Sequence, residues 1–223
     1  MRQNKTMAPE TWVRTIIQLY LAFAAMIQLF RGGKGRMEMV FYAVIALILI
    51  SLLPIAMKWM KLNLNPITIS LCFVFLTIAI YTGNRYGMYK RFWWYDVALH
   101  FSSGILLSML WADVVFPIPI TGAKPNWRES APLHMVILTS IAFAMACACG
   151  WEIVEFFWDI LTKSDVQRNL LVERELFGAA WQNPGIRDTM NDMVNGTVGA
   201  LVGCACIAAI RKSRTAIGKA DSE

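Results

Sequence analysis

Charge is what this 223-residue chain has least of: 16% of its residues are Asp, Glu, Lys or Arg, against about a quarter in soluble domains. That shortage, with 57% of residues hydrophobic, excludes an ordinary water-solvated globule. Histidine is scarcer still. His100 and His134 are the only two, and a single one, His100, within reach of the intramembrane carboxylates is too few for an HExxH or paired ExxH metal motif. The five cysteines (Cys72, Cys147, Cys149, Cys204 and Cys206) all fall inside apolar stretches. Neighbours two apart on a helix do not share a face, so they read as small packing residues, not as zinc ligands or a disulfide framework. Repeats and low-complexity segments are lacking too.

What the chain does have is long apolar runs. About 20 apolar residues in a helix cross about 30 Å of hydrocarbon, and six stretches meet that need: 11–30, 39–57, 66–84, 92–116, 132–161 and 189–210. The first lacks a small-residue cleavage site and is long for a signal-peptide core, so it reads as a retained helix. The sequence therefore predicts an all-α, polytopic membrane bundle of six transmembrane helices in a single domain, 1–223. Within it, 11–91 form an apolar scaffold and 92–210 carry the motifs. Residues 162–188 form an interfacial loop and 211–223 a basic tail.

Six spans put both termini on one side of the membrane. The 21 Lys and Arg residues divide almost evenly between the two sides, but Arg211, Lys212 and Arg214 follow the last span closely. By the positive-inside rule they place both termini in the cytoplasm. The net charge of +6 sits in short loops and tails, where lipid headgroups are its natural partners; nucleic acid is not expected. Asp165–Phe177 alternates apolar and charged residues, as an interfacial amphipathic helix would. Asn183-Pro184-Gly185 reads as a turn, with Asp188 placed to cap the sixth helix.

Ionisable residues inside a span cost several kcal/mol unless they face protein or water, so their positions carry information. In the fourth span Asp96 and His100 stand four apart on one face. The fifth ends with Glu152, Glu155 and Asp159 in a stripe, and the sixth opens with Asp188, Asn191, Asp192 and Asn195 in another. The fourth helix begins, the fifth ends and the sixth begins on the same side, so all three stripes belong to one membrane face. At about 1.5 Å per residue, His100 and Glu152 lie at similar depth. Gly104 with Ser108, and Gly199 with Gly203, supply small-residue spacing for close helix approach. His134, at the other end of the fifth helix, is out of reach. Asp113, near the far end of the fourth, reads as a solvated helix terminus.

So many carboxylates at close range need a cation or shared protons. Carboxylate and amide oxygens suit Mg²⁺, Ca²⁺ or Mn²⁺, and a histidine admits zinc or iron; His100, Glu152, Glu155 and Asp192 are the candidate metal ligands. A metal-activated water would then act on a lipid-linked substrate. Alternatively the pocket receives a cationic or polar envelope component, with Trp93, Trp94, Trp151 and Trp158 offering aromatic faces. Tryptophans at helix ends also serve as plain interfacial anchors. In a third reading His100 and the carboxylates relay protons for a coupled transporter.

Three segments, YDVALHFSSG, WEIVEF and RDTMNDMVNGTVGALVG, resemble the YjdF-type bacterial inner-membrane family across roughly residues 92–205, with Glu152 and Glu155 on its acidic positions. The chain is also similar to the wider VanZ-like set through Asp96, His100 and Phe101, then Asp192, Asn195 and Gly199. The resemblance implies a multi-pass protein of the bacterial inner membrane with a role at the envelope, and it names no reaction. The expectation from the sequence is thus a membrane protein whose polar pocket binds a cation or a polar lipid or envelope precursor. A metal-dependent hydrolase or transferase and a proton-coupled transporter are the alternatives.

Overall fold

The computed structural model describes residues 8–31, 33, 35–62, 64–115, 132–167 and 184–220. Among them the secondary structure is entirely helical. Five of the helices long and apolar enough to cross a membrane are α1 (Pro9–Phe30), α2 (Arg36–Trp59), α3 (Pro66–Arg85), α5 (Trp94–Val115) and α6 (Leu133–Thr162). The sixth lies within α7 (Pro184–Ala220). A four-residue helix, α4 (Met88–Arg91), lies between α3 and α5. The chain is an all-α membrane protein, and its contacts group into two compact units: Met1–Tyr95 with Asp113–Glu129, and Asp96–Ala112 with Ser130–Glu223.

In the first unit each long helix separates a lipid stripe from a packing stripe. On α1, Ile16, Leu19, Phe23, Met26 and Phe30 are exposed while Leu21, Ala25 and Gln28 are buried. On α2, Phe41, Val44, Ile48, Leu52 and Ile55 are exposed, opposite buried Ala43, Ala46 and Ile50. Hydrocarbon offers no hydrophobic drive for helices to associate, so contact depends on small residues that permit close approach and on polar links. Here the link is Gln18 Nε2, which donates to Ser51 Oγ at 2.9 Å.

Local signals explain the helix ends. Asn65 caps α3, its side chain accepting from the Ile67 N–H at 2.9 Å, and Pro66 follows at a position where no donor is needed. Thr77–Thr82 of α3 is wound as a π-helix, which displaces backbone carbonyls from their usual partners. Three side chains reach them: Tyr95 Oη donates to Ile78 O at 2.9 Å, Tyr89 Oη to Ala79 O at 2.8 Å and Asn84 Nδ2 to Ile80 O at 2.8 Å. A membrane helix demands such replacements, because water is not at hand to supply them.

In the second unit the seam between α5 and α7 is made of glycine. A Cβ on Gly104 would collide with the Gly196 carbonyl, one on Gly199 with the Phe101 carbonyl, and one on Gly203 with Ser108 Oγ. The predicted small-residue spacing thus brings backbone against backbone. The buried line of α6 runs Val136, Ser140, Ala144 and Glu152, a four-residue progression that puts Glu152 in the packing face and not toward lipid. Trp111 and Phe143 stack between α5 and α6 with ring centroids 4.5 Å apart.

Four sequence expectations are corrected. The sixth helix starts at Pro184, so Asp188 is an interior residue and not its cap: proline's missing N–H costs nothing in the first turn. Residues 211–220, expected as tail, continue that helix. The link between the expected spans 66–84 and 92–116 is mostly helical, comprising the end of α3 and all of α4. Asp113 is buried, and its Oδ2 accepts the Asn65 N–H at 3.2 Å beside Thr68; it closes the start of α3 instead of being solvated. The amphipathic stretch expected at Asp165–Phe177 lies outside the described residues beyond Gln167. All five cysteines are free; Cys204 is buried, whereas Cys149 and Cys206 are exposed.

Candidate metal centre

Helix geometry fixes the two halves of the site separately. Asp96 and His100 share one face of α5 as an i, i+4 pair, and Asp192 lies on α7 in the line of buried residues that includes Gly196, Gly199 and Gly203. With no side chain between the helices along that line, Asp192 meets the α5 pair directly. His100 Nε2 stands 3.6 Å from Asp96 Oδ1 and 3.6 Å from Asp192 Oδ2. Ligand atoms of all three residues lie within 4.8 Å of one another, and His100 and Asp192 are buried.

Those distances have a chemical meaning. A separation of 3.6 Å is too long for a hydrogen bond. It is close to the ~3.4 Å between neighbouring ligand atoms on a tetrahedral ion with bonds of about 2.1 Å. One imidazole nitrogen between two carboxylate oxygens matches the mixed N/O set of Zn²⁺, Mn²⁺ or Fe²⁺ better than the six to eight oxygens of Ca²⁺.

Glu152 is the next group out. It is 6% exposed, and its charge acts on both Asp96 and Asp192. Thr189 lies beside its carboxylate, and Gln167 Nε2 contacts both the Glu152 carbonyl and Thr189 Oγ1 at 3.4 Å. Oε1 of Glu152, shut off from solvent, finds no hydrogen-bond partner among the described residues. Thr189 and Gln167 were not singled out from the sequence, since a lone Thr and a loop Gln carry no motif.

The other expected pocket residues are placed differently. Glu155 and Asp188 lie within Coulombic reach of Asp192, and Glu155 Oε1 accepts the Trp151 indole N–H at 2.7 Å. Asp159 is fully engaged by the turn after α6: Ser164 Oγ and the Val166 N–H donate to Oδ1 at 2.6 and 2.8 Å, and the Gln167 N–H to Oδ2 at 3.0 Å. Asn191 is exposed and Asn195 half-buried. The group with metal-ligand spacing joins Asp96, instead of Glu152 and Glu155, to His100 and Asp192. The signal for Asp96 was its i, i+4 pairing with the histidine. Trp93, Trp94, Trp151 and Trp158 are all exposed, as interfacial anchors are.

The chain belongs to the DUF2238 family, described as predicted membrane proteins, whose model matches residues 13–213. No curated protein and no solved structure matches it.

Proposed function

We propose that this DUF2238 protein binds a divalent cation at Asp96, His100 and Asp192, near one membrane face, and that the ion is the core of the pocket's function. The observation that carries this reading is the pair of 3.6 Å separations from one buried histidine nitrogen to two carboxylates on different helices, Asp96 half-buried and Asp192 buried. Two carboxylate oxygens and an imidazole nitrogen whose ligand atoms lie within 4.8 Å of one another offer a divalent ion three ligands. Glu152, Glu155 and Asp188 add negative charge around it and strengthen its retention.

The resemblance to the YjdF-type family and to the VanZ-like set supports a place in the bacterial inner membrane and a role at the envelope. A polar lipid or envelope precursor is then the partner that such an ion would meet near that membrane face. The positive charge after the last span supports cytoplasmic termini, and the site on the opposite face.

Metal analysis of protein purified in detergent tests the reading. About one equivalent of a transition ion is expected in the wild type, with Asp192→Asn and His100→Ala each weakening its binding by at least tenfold. Wild-type protein that takes up no ion from a Zn²⁺, Mn²⁺ or Co²⁺ solution overturns it.

A further inference from the structure

We infer that Glu152 stands outside the ligand set and accepts a hydrogen bond from a protic oxygen ligand, water or an alcohol, held at an exchangeable position on the ion. The inference rests on the cation site proposed above and gives that site an open coordination position.

Three observations carry it. First, the three protein ligands among the described residues leave a divalent transition ion short of its usual four or more, and a site with three ligands is the arrangement that keeps a position for water or substrate. Second, Glu152 is absent from the group whose ligand atoms all lie within 4.8 Å of one another, yet its charge acts on Asp96 and Asp192. It is therefore close enough to act on those carboxylates and separate from the ligand group. Third, Glu152 is a buried acceptor whose Oε1 has no partner, a condition rare in folded proteins and one that calls for a missing donor.

The chemistry of the ligand follows from the acceptor. A carboxylate oxygen rewards a ligand that carries a proton to donate, and it repels an anion. A metal-bound water or alcohol satisfies both the ion and Oε1; an anionic ligand satisfies only the ion. Glu152 is held for this role by its place in the buried line of α6 and by Thr189 and Gln167 at its flank.

The test uses the full chain in detergent, loaded with Co²⁺, whose visible spectrum reports coordination, and titrated with azide as the anionic probe. Wild type and Glu152→Gln are compared, with His100→Ala as the metal-free control. The inference expects Glu152→Gln to bind Co²⁺ within about threefold of wild type, because Glu152 is not a ligand. Azide should bind that variant at least tenfold more tightly, because a repelling carboxylate has become an amide that donates. Co²⁺ affinity falling more than tenfold in Glu152→Gln makes Glu152 a ligand and overturns the inference. So does equal azide affinity in the two proteins, or a spectrum that azide never changes. Each of those outcomes leaves the cation site standing, whereas wild type that takes up no Co²⁺ removes the site and the inference together. Should Glu152→Gln not fold, Glu152→Asp, which withdraws the acceptor by one methylene, is expected to keep the ion and bind azide more tightly than wild type; unchanged azide affinity there overturns the inference.

Discussion

In the unit built on α1 to α4, buried polar groups close on one another singly: Gln18 onto Ser51, Asp113 onto the Asn65 N–H, and three side chains onto the carbonyls of the π-helical turn. Glu10 Oε2 and Arg14 Nε near the start of α1 are its unsatisfied atoms. In the unit containing α6 and α7, carboxylates are gathered within reach of one another, and a buried oxygen of Glu152 is left over. Both units pay the same membrane cost for polarity. The first uses polar groups chiefly to lock backbone and helix pairs, with Glu10 and Arg14 at the start of α1 the exceptions among the described residues. Among the described residues the second leaves one buried carboxylate oxygen, Glu152 Oε1, without a donor, and the proposed ion with its ligand would supply one.

The sharpest way to break this contrast is to open the glycine seam. Gly199→Ala puts a Cβ into the Phe101 carbonyl, and backbone cannot retreat as a side-chain tip can. A destabilisation of about 1–3 kcal/mol, read as a clear drop in melting temperature in detergent, is expected together with loss of the ion. Gly150→Ala, where nothing lies within 4 Å of the new atom, should leave both unchanged. If Gly199→Ala melts and binds like wild type, the seam does not set the site.

A second comparison sets one buried aspartate against another. Asp113→Ala removes the acceptor of the Asn65 N–H, so it should cost about 1–3 kcal/mol of stability while ion binding stays within twofold of wild type. Asp192→Asn should do the reverse, leaving the melting temperature of ion-free protein unchanged or higher. Ion binding lost equally in both would erase the distinction between the units. The smallest effect is expected from Tyr95→Phe, which removes one of the two donors to the Ile78 carbonyl and leaves the Gly83 N–H. Polar links in membrane proteins average about 0.6 kcal/mol, so a barely resolved shift in melting, with faster amide exchange confined to the π-helical part of α3, is the expected result; exchange spread over the whole chain would contradict it.

The spans were legible because crossing hydrocarbon imposes a length that apolar runs display directly. The site was legible in outline, since Asp96, His100 and Asp192 sit where intramembrane charge must face protein. What stayed hidden depends on partners distant in sequence. Asp113 looks like a solvated helix end until Asn65, 48 residues away, is seen to need it. Proline in Asn183-Pro184-Gly185 signals a turn and a helix start equally well, and the start was displaced to Asp188 as a result. The π-helical turn has no sequence mark of its own. Glu152 and Asp159 look alike on the α6 stripe, and the post-helix turn that occupies Asp159 decides between them.

The glycine seam also bears on the order in which the protein is made. Asp96 and His100 enter the membrane with α5, but Asp192 arrives only with the last span, after α6 and its connections have been synthesised. Until then the nascent chain holds an aspartate–histidine pair with no third arm and no glycine face to lie against. The proposed ion site is therefore completed only when α7 is in place, and cation uptake by the newly inserted protein would mark that α7 has docked.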